Sequence, residues 1–184
     1  FTGTDPSIYE VRTQAPGPAG RLPLTPELLA DAPSGDLFGM TMNVGMGWNP
    51  DDVNRDAVMI VSTAGGATDA DGNPIALGLH TGHYQLAELV NEAAREVAAQ
   101  GALPYATYVS DPCDGRSQGT VGMFDSLPYR NDAAIVMRRL IRSLPTRRAV
   151  MGIASCDKGL PAMMIAPRRI REILLVASPY DAFV

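Results

Sequence analysis

The sequence contains few of the residues that build disulfide scaffolds or membrane spans. Only two cysteines, Cys113 and Cys156, occur in 184 residues, which argues against a disulfide scaffold. No apolar run approaches the ~20 residues that a membrane helix needs, and the N-terminus shows no signal-peptide pattern. With 46% apolar and 19% charged residues the composition is that of a globular protein, and we expect it to be cytoplasmic.

Positive charge is scarce in the first two thirds of the chain and concentrated in the last third. Residues 1–129 carry 5 basic and 16 acidic side chains, a net of −11, whereas residues 130–184 carry 10 basic and 4 acidic, a net of +6. A basic segment can indicate nucleic-acid binding. Here the arginines lie along one predicted helix, and no aromatic residues alternate with them to stack on bases. A solvated or subunit-contacting helix face is the favoured interpretation.

Strand and helix patterns alternate along the middle of the chain. Residues 1–56 are rich in Pro, Gly and Asp and predict an irregular N-terminal arm with one short helix near Pro26–Ala30. After this arm, apolar periodicity predicts strands at Ala57–Ser62, Ile75–Leu79, Leu103–Val109 and Ala149–Ala154, and helices at Tyr84–Gln100, from an Asn131 cap to Pro145, and at Pro161–Ala166. This alternation predicts one α/β domain over 57–165, with a parallel sheet flanked by helices.

The segment Ser155–Lys158 places a thiol, a carboxylate and an amine directly after a predicted buried strand. Ligands of open α/β sheets collect beyond the carboxyl ends of such strands. By residue type alone Cys156 is an inert thiol, a metal or cluster ligand, or a nucleophile. A nucleophile wants a histidine partner, and sequence cannot place His80 or His83 near it. Cys113 and Cys156 could pair, but the aspartate beside each favours metal or catalytic roles.

A second candidate segment begins at Asp114, which opens a glycine-punctuated loop that runs to Met123. Asp114 and Asp157 are either turn residues or two loop carboxylates that share a hard cation such as Mg²⁺. Lys158 would oppose that cation as an ammonium. Once desolvated and carbamylated, it would instead supply an anionic oxygen ligand.

Three other patterns carry little weight. The glycines after Asp114 lack the spacing of known phosphate-binding loops. The acidic segment 68–73 resembles a calcium loop, but its twelfth position is His80 rather than Glu, so a turn is expected. The pair His80 and His83 is a weak zinc motif, because no second ligand pair follows it.

Three ordered motifs nevertheless resemble one family, the dihydroxy-acid and sugar-acid dehydratases. The motifs are Asp114-Gly115-x-x-x-Gly119-x-x-Gly122-Met123, Ser126-Leu127-Pro128-x-Arg130 and Cys156-Asp157-Lys158-x-x-Pro161-Ala162-Met163. The stretches 34–43 and 108–115 further resemble the sugar-acid branch, which includes D-xylonate dehydratases. The match covers most of residues 8–165 and implies the N-terminal domain of that family.

The resemblance implies a hydro-lyase that uses an iron–sulfur cluster, usually [2Fe–2S], and Mg²⁺. Cys156 would be a cluster ligand, Asp114 and Asp157 would bind Mg²⁺, and Lys158 would be the carbamylated, catalytic Mg²⁺ ligand. The implied substrate is a sugar acid such as D-xylonate, which loses water to give a 2-keto-3-deoxy acid. Mg²⁺ would stabilise the enolate, and the cluster iron would take the C3 hydroxyl. The family forms dimers or tetramers, so a homo-oligomer is expected of the full-length form.

The sequence departs from the family in two places. The earlier cluster cysteine of the family is absent from the segment 80–84, and Cys113 is favoured over a histidine as its substitute. The resemblance also ends after Ile165, and later ligands and the serine base are missing. A truncated or frame-shifted product, with 166–184 as a divergent tail, is therefore expected to be inactive in isolation. The alternatives are a non-catalytic interaction or regulatory fragment that keeps the fold, and an enzyme with Cys156 as nucleophile.

Overall fold

The computed structural model describes residues 42–49, 52, 55–80, 82–144 and 146–167, and the backbone of 173–177. The chain divides into two compact units, Phe1–Arg55 and Asp56–Val184. In the first unit, residues 42–45 form a helical turn; most of the predicted N-terminal arm, including the helix near Pro26–Ala30, lies outside the described residues. Within the described part of the chain, no helix is both long and apolar enough to cross a bilayer.

The second unit is built around one parallel sheet. Its elements in chain order are β1 (Ala57–Ser62), β2 (Ala67–Thr68), β3 (Pro74–Ala76), α1 (His83–Ala99), β4 (Leu103–Tyr108), α2 (Asp114–Ser117), a 3₁₀ turn (Val121–Asp125), α3 (Ser126–Arg142), β5 (Arg147–Ala154), α4 (Gly159–Ile165) and β6 (Ile173–Ala177). The sheet has the strand order β4-β1-β5-β6, and every neighbouring pair is parallel. The predicted α/β class with a parallel sheet is confirmed.

Both faces of the central strand β1 are covered by apolar groups, as its near-continuous apolar sequence predicts. Met59 and Val61 pack in a cluster with Met137 and Ile141 of α3. Ile60 points to the other face and packs with residues of α1 and β5, namely Leu86, Val90 and Ile153. Helices on both faces of the sheet leave the carboxyl ends of the strands as the open edge.

Helix α1 follows its predicted bounds closely because its ends are marked in the sequence. Gly101 adopts a φ of 85°, the left-handed conformation that glycine reaches without strain. The Gly101 N–H donates to the carbonyl of Ala98, and the Ala102 N–H donates to that of Val97. These two bonds satisfy the last carbonyls of the helix in a Schellman motif.

Helix α3 begins at Ser126, five residues before the predicted Asn131 cap, so that prediction was wrong. Pro128 occupies the third position of the helix. The prediction treated the segment before Asn131 as loop, but proline is tolerated in a first turn, where backbone N–H groups have no partner within the helix. The early start brings Ser126 next to the Asp114 turn, which matters for the site.

Two further strand assignments differ from the sequence prediction. The strand expected at Ile75–Leu79 is the shorter β3, which pairs with β2 across a turn held by the Asp69 side chain and the Asn73 N–H. The turn expected in this segment is confirmed. Beyond residue 165, where the sequence predicted a divergent tail and no strand, β6 pairs with β5 and extends the sheet.

Met137→Ala is expected to destabilise the chain by about 2–5 kcal/mol, because the Met137 side chain is fully buried between α3 and β1 and its removal leaves a cavity. Val136, the preceding residue, is 42% exposed. Val136→Ala is therefore the matched control, with an expected change below about 0.5 kcal/mol. Urea unfolding followed by circular dichroism measures both, and equal losses would contradict this assignment of the core.

Candidate metal centre

The reversal of strand order places the candidate residues at one point of the sheet. The chain crosses from β1 to the edge strand β4 and then returns to β5 on the other side of β1. The loops after β1 and β5 therefore leave in opposite directions and open a crevice between their carboxyl ends. Open α/β sheets bind their ligands in crevices of this kind.

The loop after β5 is fastened to the end of β1. The Thr63 N–H donates to the carbonyl of Ile153 (3.2 Å), and the Ser155 N–H donates to Thr63 Oγ1 (3.2 Å). Cys156 follows with a φ of 65°, the left-handed conformation that non-glycine residues rarely adopt. Such a conformation costs on the order of 1–3 kcal/mol and is concentrated at functional sites. Its effect is to turn the chain sharply from β5 into α4.

Lys158 joins two carboxylates from separate loops. Its Nζ donates to Asp114 Oδ2 at 2.5 Å and to Asp157 Oδ2 at 2.6 Å. Ser126 Oγ, at the start of α3, donates to the other oxygen of Asp114. Side-chain exposure is 11% for Lys158 and 18% for Asp114, whereas Asp157 is 67% exposed. Asp114, Asp157 and Lys158 therefore lie together at the carboxyl end of the sheet, as the sequence predicted.

The charges of this cluster stabilise one another. The hydrogen bond to Asp114, and then that to Asp157, raises the pKa of the Lys158 amine. Burial acts to raise the pKa of Asp114, but the hydrogen bonds from Lys158 and Ser126 outweigh it and hold that pKa below its usual value. Without a metal ion, Lys158 is therefore an ammonium and not the neutral amine that carbamylation requires.

Behind the lysine cluster lies a buried pair, His83 and Asp111. His83 Nε2 lies 2.8 Å from Asp111 Oδ1, with the two side chains 0% and 2% exposed. Nε2 and Oδ1 are therefore within ion-pair distance, and among the residues that the structure describes no other group hydrogen-bonds to either oxygen of Asp111. Burial raises the pKa of Asp111, and the neighbouring His83 lowers it by less. This carboxylate is held in an unfavourable environment.

The space around Asp111 is closed on one side by a glycine. A Cβ atom at Gly159 would lie 2.6 Å from Asp111 Oδ2 and 3.2 Å from Thr63 Cγ2, closer than side chains tolerate. Within the described part of the chain, Ser155 Oγ is also buried without a hydrogen-bond partner. Buried polar atoms without partners are uncommon in native proteins, and Ser155 and Asp111 both follow the carboxyl ends of strands.

His80, His83 and Cys156 form a separate group of candidate ligands. One ligand atom from each residue lies within 4.8 Å of the others. Neither cysteine forms a disulfide, and Cys113, the residue favoured from sequence as a cluster ligand, is not a member of this group. By spacing alone, the two histidines form only a weak metal-binding motif, because no second ligand pair follows them in the sequence. The overlooked signal is topological, because a helix that follows a parallel strand begins at the carboxyl edge of the sheet.

Asp111→Asn is expected to become increasingly stabilising, relative to wild type, as the pH rises above about 4, the ordinary pKa of an aspartate. The pKa of Asp111 is raised, so the folded protein keeps this proton at pH values where the unfolded chain has lost it. Wild-type stability therefore falls as the pH rises through that window, and asparagine, which does not ionise, avoids the loss.

Urea unfolding of the metal-free chain at several pH values, with a chelator present, measures this difference. The exposed Asp132 on α3 offers a control, and Asp132→Asn is expected to change stability by less than about 0.5 kcal/mol. A difference between Asp111→Asn and wild type that stays constant over this pH range would show that Asp111 is not disfavoured by burial.

Comparison with known proteins identifies the family of the chain. Residues 75–178 match the profile of the dihydroxy-acid/6-phosphogluconate dehydratase N-terminal family. The D-xylonate dehydratase YjhG of Escherichia coli K12 is 62% identical over 182 residues, which is 99% of this chain and 28% of the relative. The D-xylonate dehydratase YagF of the same strain is 58% identical over the same length. A dihydroxy-acid dehydratase of Archaeoglobus fulgidus is 33% identical over 89 residues, 48% of this chain and 16% of the relative.

These matches show how much of its relatives the chain covers and whether its C-terminal segment resembles them. The chain spans about a quarter of the length of the two D-xylonate dehydratases, at 28% of each. Similarity continues past Ile165, since the family match runs to residue 178 and both alignments cover 99% of the chain. The loss of resemblance expected after Ile165 therefore does not occur. By its matched segment, the chain belongs to the dihydroxy-acid/6-phosphogluconate dehydratase family and represents the N-terminal part of that family.

Proposed function

We propose that this chain is the N-terminal, metal-binding part of a sugar-acid dehydratase that converts D-xylonate to its 2-keto-3-deoxy acid. The observation that carries the proposal is the convergence of Asp114 and Asp157 on Lys158, which lies two residues after Cys156. High identity to two D-xylonate dehydratases over nearly the whole chain supports the choice of substrate class.

The residues at the crevice fit the two cofactors of the family. Asp114 and Asp157 direct oxygen atoms at the same nitrogen from 2.5 and 2.6 Å, so these oxygens are close enough to bind one Mg²⁺ together. Carbamylation of Lys158 would replace the positive charge between them with further oxygen ligands. Cys156 would supply the thiolate that iron prefers, and its thiol lies close to the ring nitrogens of His80 and His83. Cys113 as a second cluster ligand stays a prediction from sequence.

When bound, the cofactors supply Lewis acids for the substrate carboxylate and for the departing hydroxyl. The chain itself contributes position and charge. Asp114 is fixed by Ser126 Oγ on one oxygen and by Lys158 on the other, so its orientation is set before any ligand arrives. The left-handed backbone conformation of Cys156 and the hydrogen bond from the Ser155 N–H to Thr63 Oγ1 position Cys156 at the crevice. Prealigned ligands reduce the reorganisation that accompanies binding and reaction.

A chimaera tests the proposed function directly. The 182 residues of this chain that align with the E. coli D-xylonate dehydratase YjhG would replace the matching segment of that enzyme. The chimaera is expected to release the 2-keto-3-deoxy acid from D-xylonate, and Cys156→Ser within it is expected to lower the rate by at least about 100-fold. Asp132→Asn, on the exposed face of α3, serves as the control and is expected to keep the rate. A folded chimaera without turnover, alongside an active parent enzyme, would refute the proposal.

A second prediction concerns Mg²⁺ and bicarbonate. Since the raised pKa keeps Lys158 positively charged, the ammonium opposes Mg²⁺ until carbamylation removes its charge. We expect bicarbonate, as a source of CO₂, to strengthen Mg²⁺ binding to the wild-type chain in calorimetric titrations. Lys158→Arg keeps a positive charge that cannot be carbamylated, so bicarbonate should have no effect on it.

Asp114→Asn is expected to weaken Mg²⁺ binding by at least about tenfold with or without bicarbonate, because it removes one charged ligand. Asp132→Asn again serves as the control. An equal response to bicarbonate in wild type and Lys158→Arg would rule out carbamylation of Lys158 as the cause.

A further inference from the structure

Among the residues that the structure describes, His80, His83 and Cys156 are the one group of three histidine, cysteine or acidic side chains close enough to hold a metal ion, with ligand atoms within 4.8 Å of one another. Cys156 comes from the loop after β5, and both histidines come from the segment that leads into α1. Two imidazoles and a thiolate suit iron, cobalt or zinc, whereas the oxygen set around Lys158 suits Mg²⁺. Two centres of different chemistry therefore lie side by side.

His83 is oriented as metal-bound histidines are. Its Nε2 lies 2.8 Å from the buried carboxylate of Asp111, which leaves Nδ1 as the nitrogen for a metal ion. Histidine ligands almost always direct their second ring nitrogen at a carboxylate, a carbonyl or water, which fixes the ring and raises its basicity.

Each histidine must lose a hydrogen bond from a main-chain N–H before it can bind the metal. His83 Nδ1 accepts the main-chain N–H of His80 at 3.3 Å, and His80 Nδ1 accepts that of Gly82 at 3.1 Å. If the metal binds His80 through Nδ1, that nitrogen can no longer accept the Gly82 N–H. If the metal binds through Nε2, Nδ1 holds the ring proton and again cannot accept it. The hydrogen bond from Gly82 is therefore lost in both cases. Each such bond contributes about 1 kcal/mol, which a metal–nitrogen bond exceeds.

The segment before α1 is held near the Asp114 turn. Arg116 Nε donates to the carbonyl of Leu79, the residue directly before His80. On the other side, the Gly65 N–H of the loop after β1 donates to the carbonyl of His83 at 3.2 Å. The two histidines are therefore positioned by the loops after β1 and β4 and are not carried on an unattached segment.

We propose that His80 and His83 bind the metal together with Cys156, so that iron at this position has two nitrogen ligands and one sulphur ligand from this chain. Cys113 does not belong to this group of side chains, so the proposed ligand set does not require it. The identity of iron as the native metal rests on the proposed function, whereas the ligand set rests on the geometry alone. Nitrogen ligands in place of thiolates raise the reduction potential of an iron–sulfur centre.

Cobalt(II) titration of the metal-free 184-residue chain tests the ligand set without any need for turnover. The wild-type chain is expected to develop a thiolate-to-cobalt charge-transfer band together with the visible bands of a four-coordinate ion. Cys156→Ser should abolish the charge-transfer band. His80→Ala, at a partly exposed position, should keep the fold and weaken cobalt binding by at least about tenfold.

Cys113→Ser is the matched control and should leave the cobalt spectrum and affinity unchanged. Because His83 is buried and its removal could disturb the fold, Asp111→Asn provides a second measurement. It keeps the His83 ring but removes its carboxylate partner, and an affinity lower by about 10–100-fold is expected. Circular dichroism confirms that each variant is folded.

Three results would overturn the assignment. They are absence of the charge-transfer band in the wild-type chain, a band that depends on Cys113 instead of Cys156, and cobalt binding that His80→Ala and Asp111→Asn leave unchanged. The proposed function fails separately. An inactive chimaera with an intact cobalt site contradicts only the dehydratase assignment, whereas an active chimaera without a cobalt site contradicts only the histidine ligands.

Discussion

The parallel pairing of β1 with β5 is the constraint on which the site depends. The register places Ser62 opposite Ile153, so the two strands end at the same level, and the bonds between Thr63 and the β5 loop continue the pairing beyond the sheet. A slip of one residue would exchange the faces of Ile60 and Val61 and disrupt the packing of both apolar clusters. Packing on the two faces of β1 therefore fixes the height of Cys156 relative to the loops after β1 and β4.

At this edge of the sheet, a proposed sulphur ligand, Cys156, and a proposed oxygen ligand, Asp157, are consecutive residues. Cys156 turns towards the histidines, whereas Asp157 and Lys158 join Asp114 in a cluster of oxygens around one cation. The left-handed backbone at Cys156 makes the separation possible, because an extended or helical residue there would not turn the chain so sharply. The strain is offset by the bonds that follow, such as Leu160 N–H to the Cys156 carbonyl at 3.2 Å. One local conformation would thus serve both proposed centres.

Periodicity and end signals predicted the parts of the fold in which local sequence decides the structure. β1 has the predicted bounds, and α1 differs from them by one residue at each end because glycine marks its C-terminus. The meeting of Asp114 with Lys158 also followed from sequence, since both come after strands of one parallel sheet. The start of α3 was missed because Asn131 was taken as its cap, whereas Pro128 is compatible with the first turn of a helix. The group formed by His80, His83 and Cys156 depends on the tertiary path, and no spacing within one segment encodes it.

The pair His83 and Asp111 joins the stability of the fold to the chemistry of the site. Burial disfavours the charge of Asp111 more than the contact with His83 compensates it, so the pKa of Asp111 is raised and its ionised form lowers the stability of the metal-free fold. In the proposed centre, a metal ion on His83 Nδ1 would withdraw electrons from the ring and strengthen the attraction of Nε2–H to Asp111. The ion would in this way offset the charge that the metal-free fold leaves unbalanced. Because the unfolded chain does not hold the three proposed ligands together, metal binding and folding would reinforce each other at this edge of the sheet.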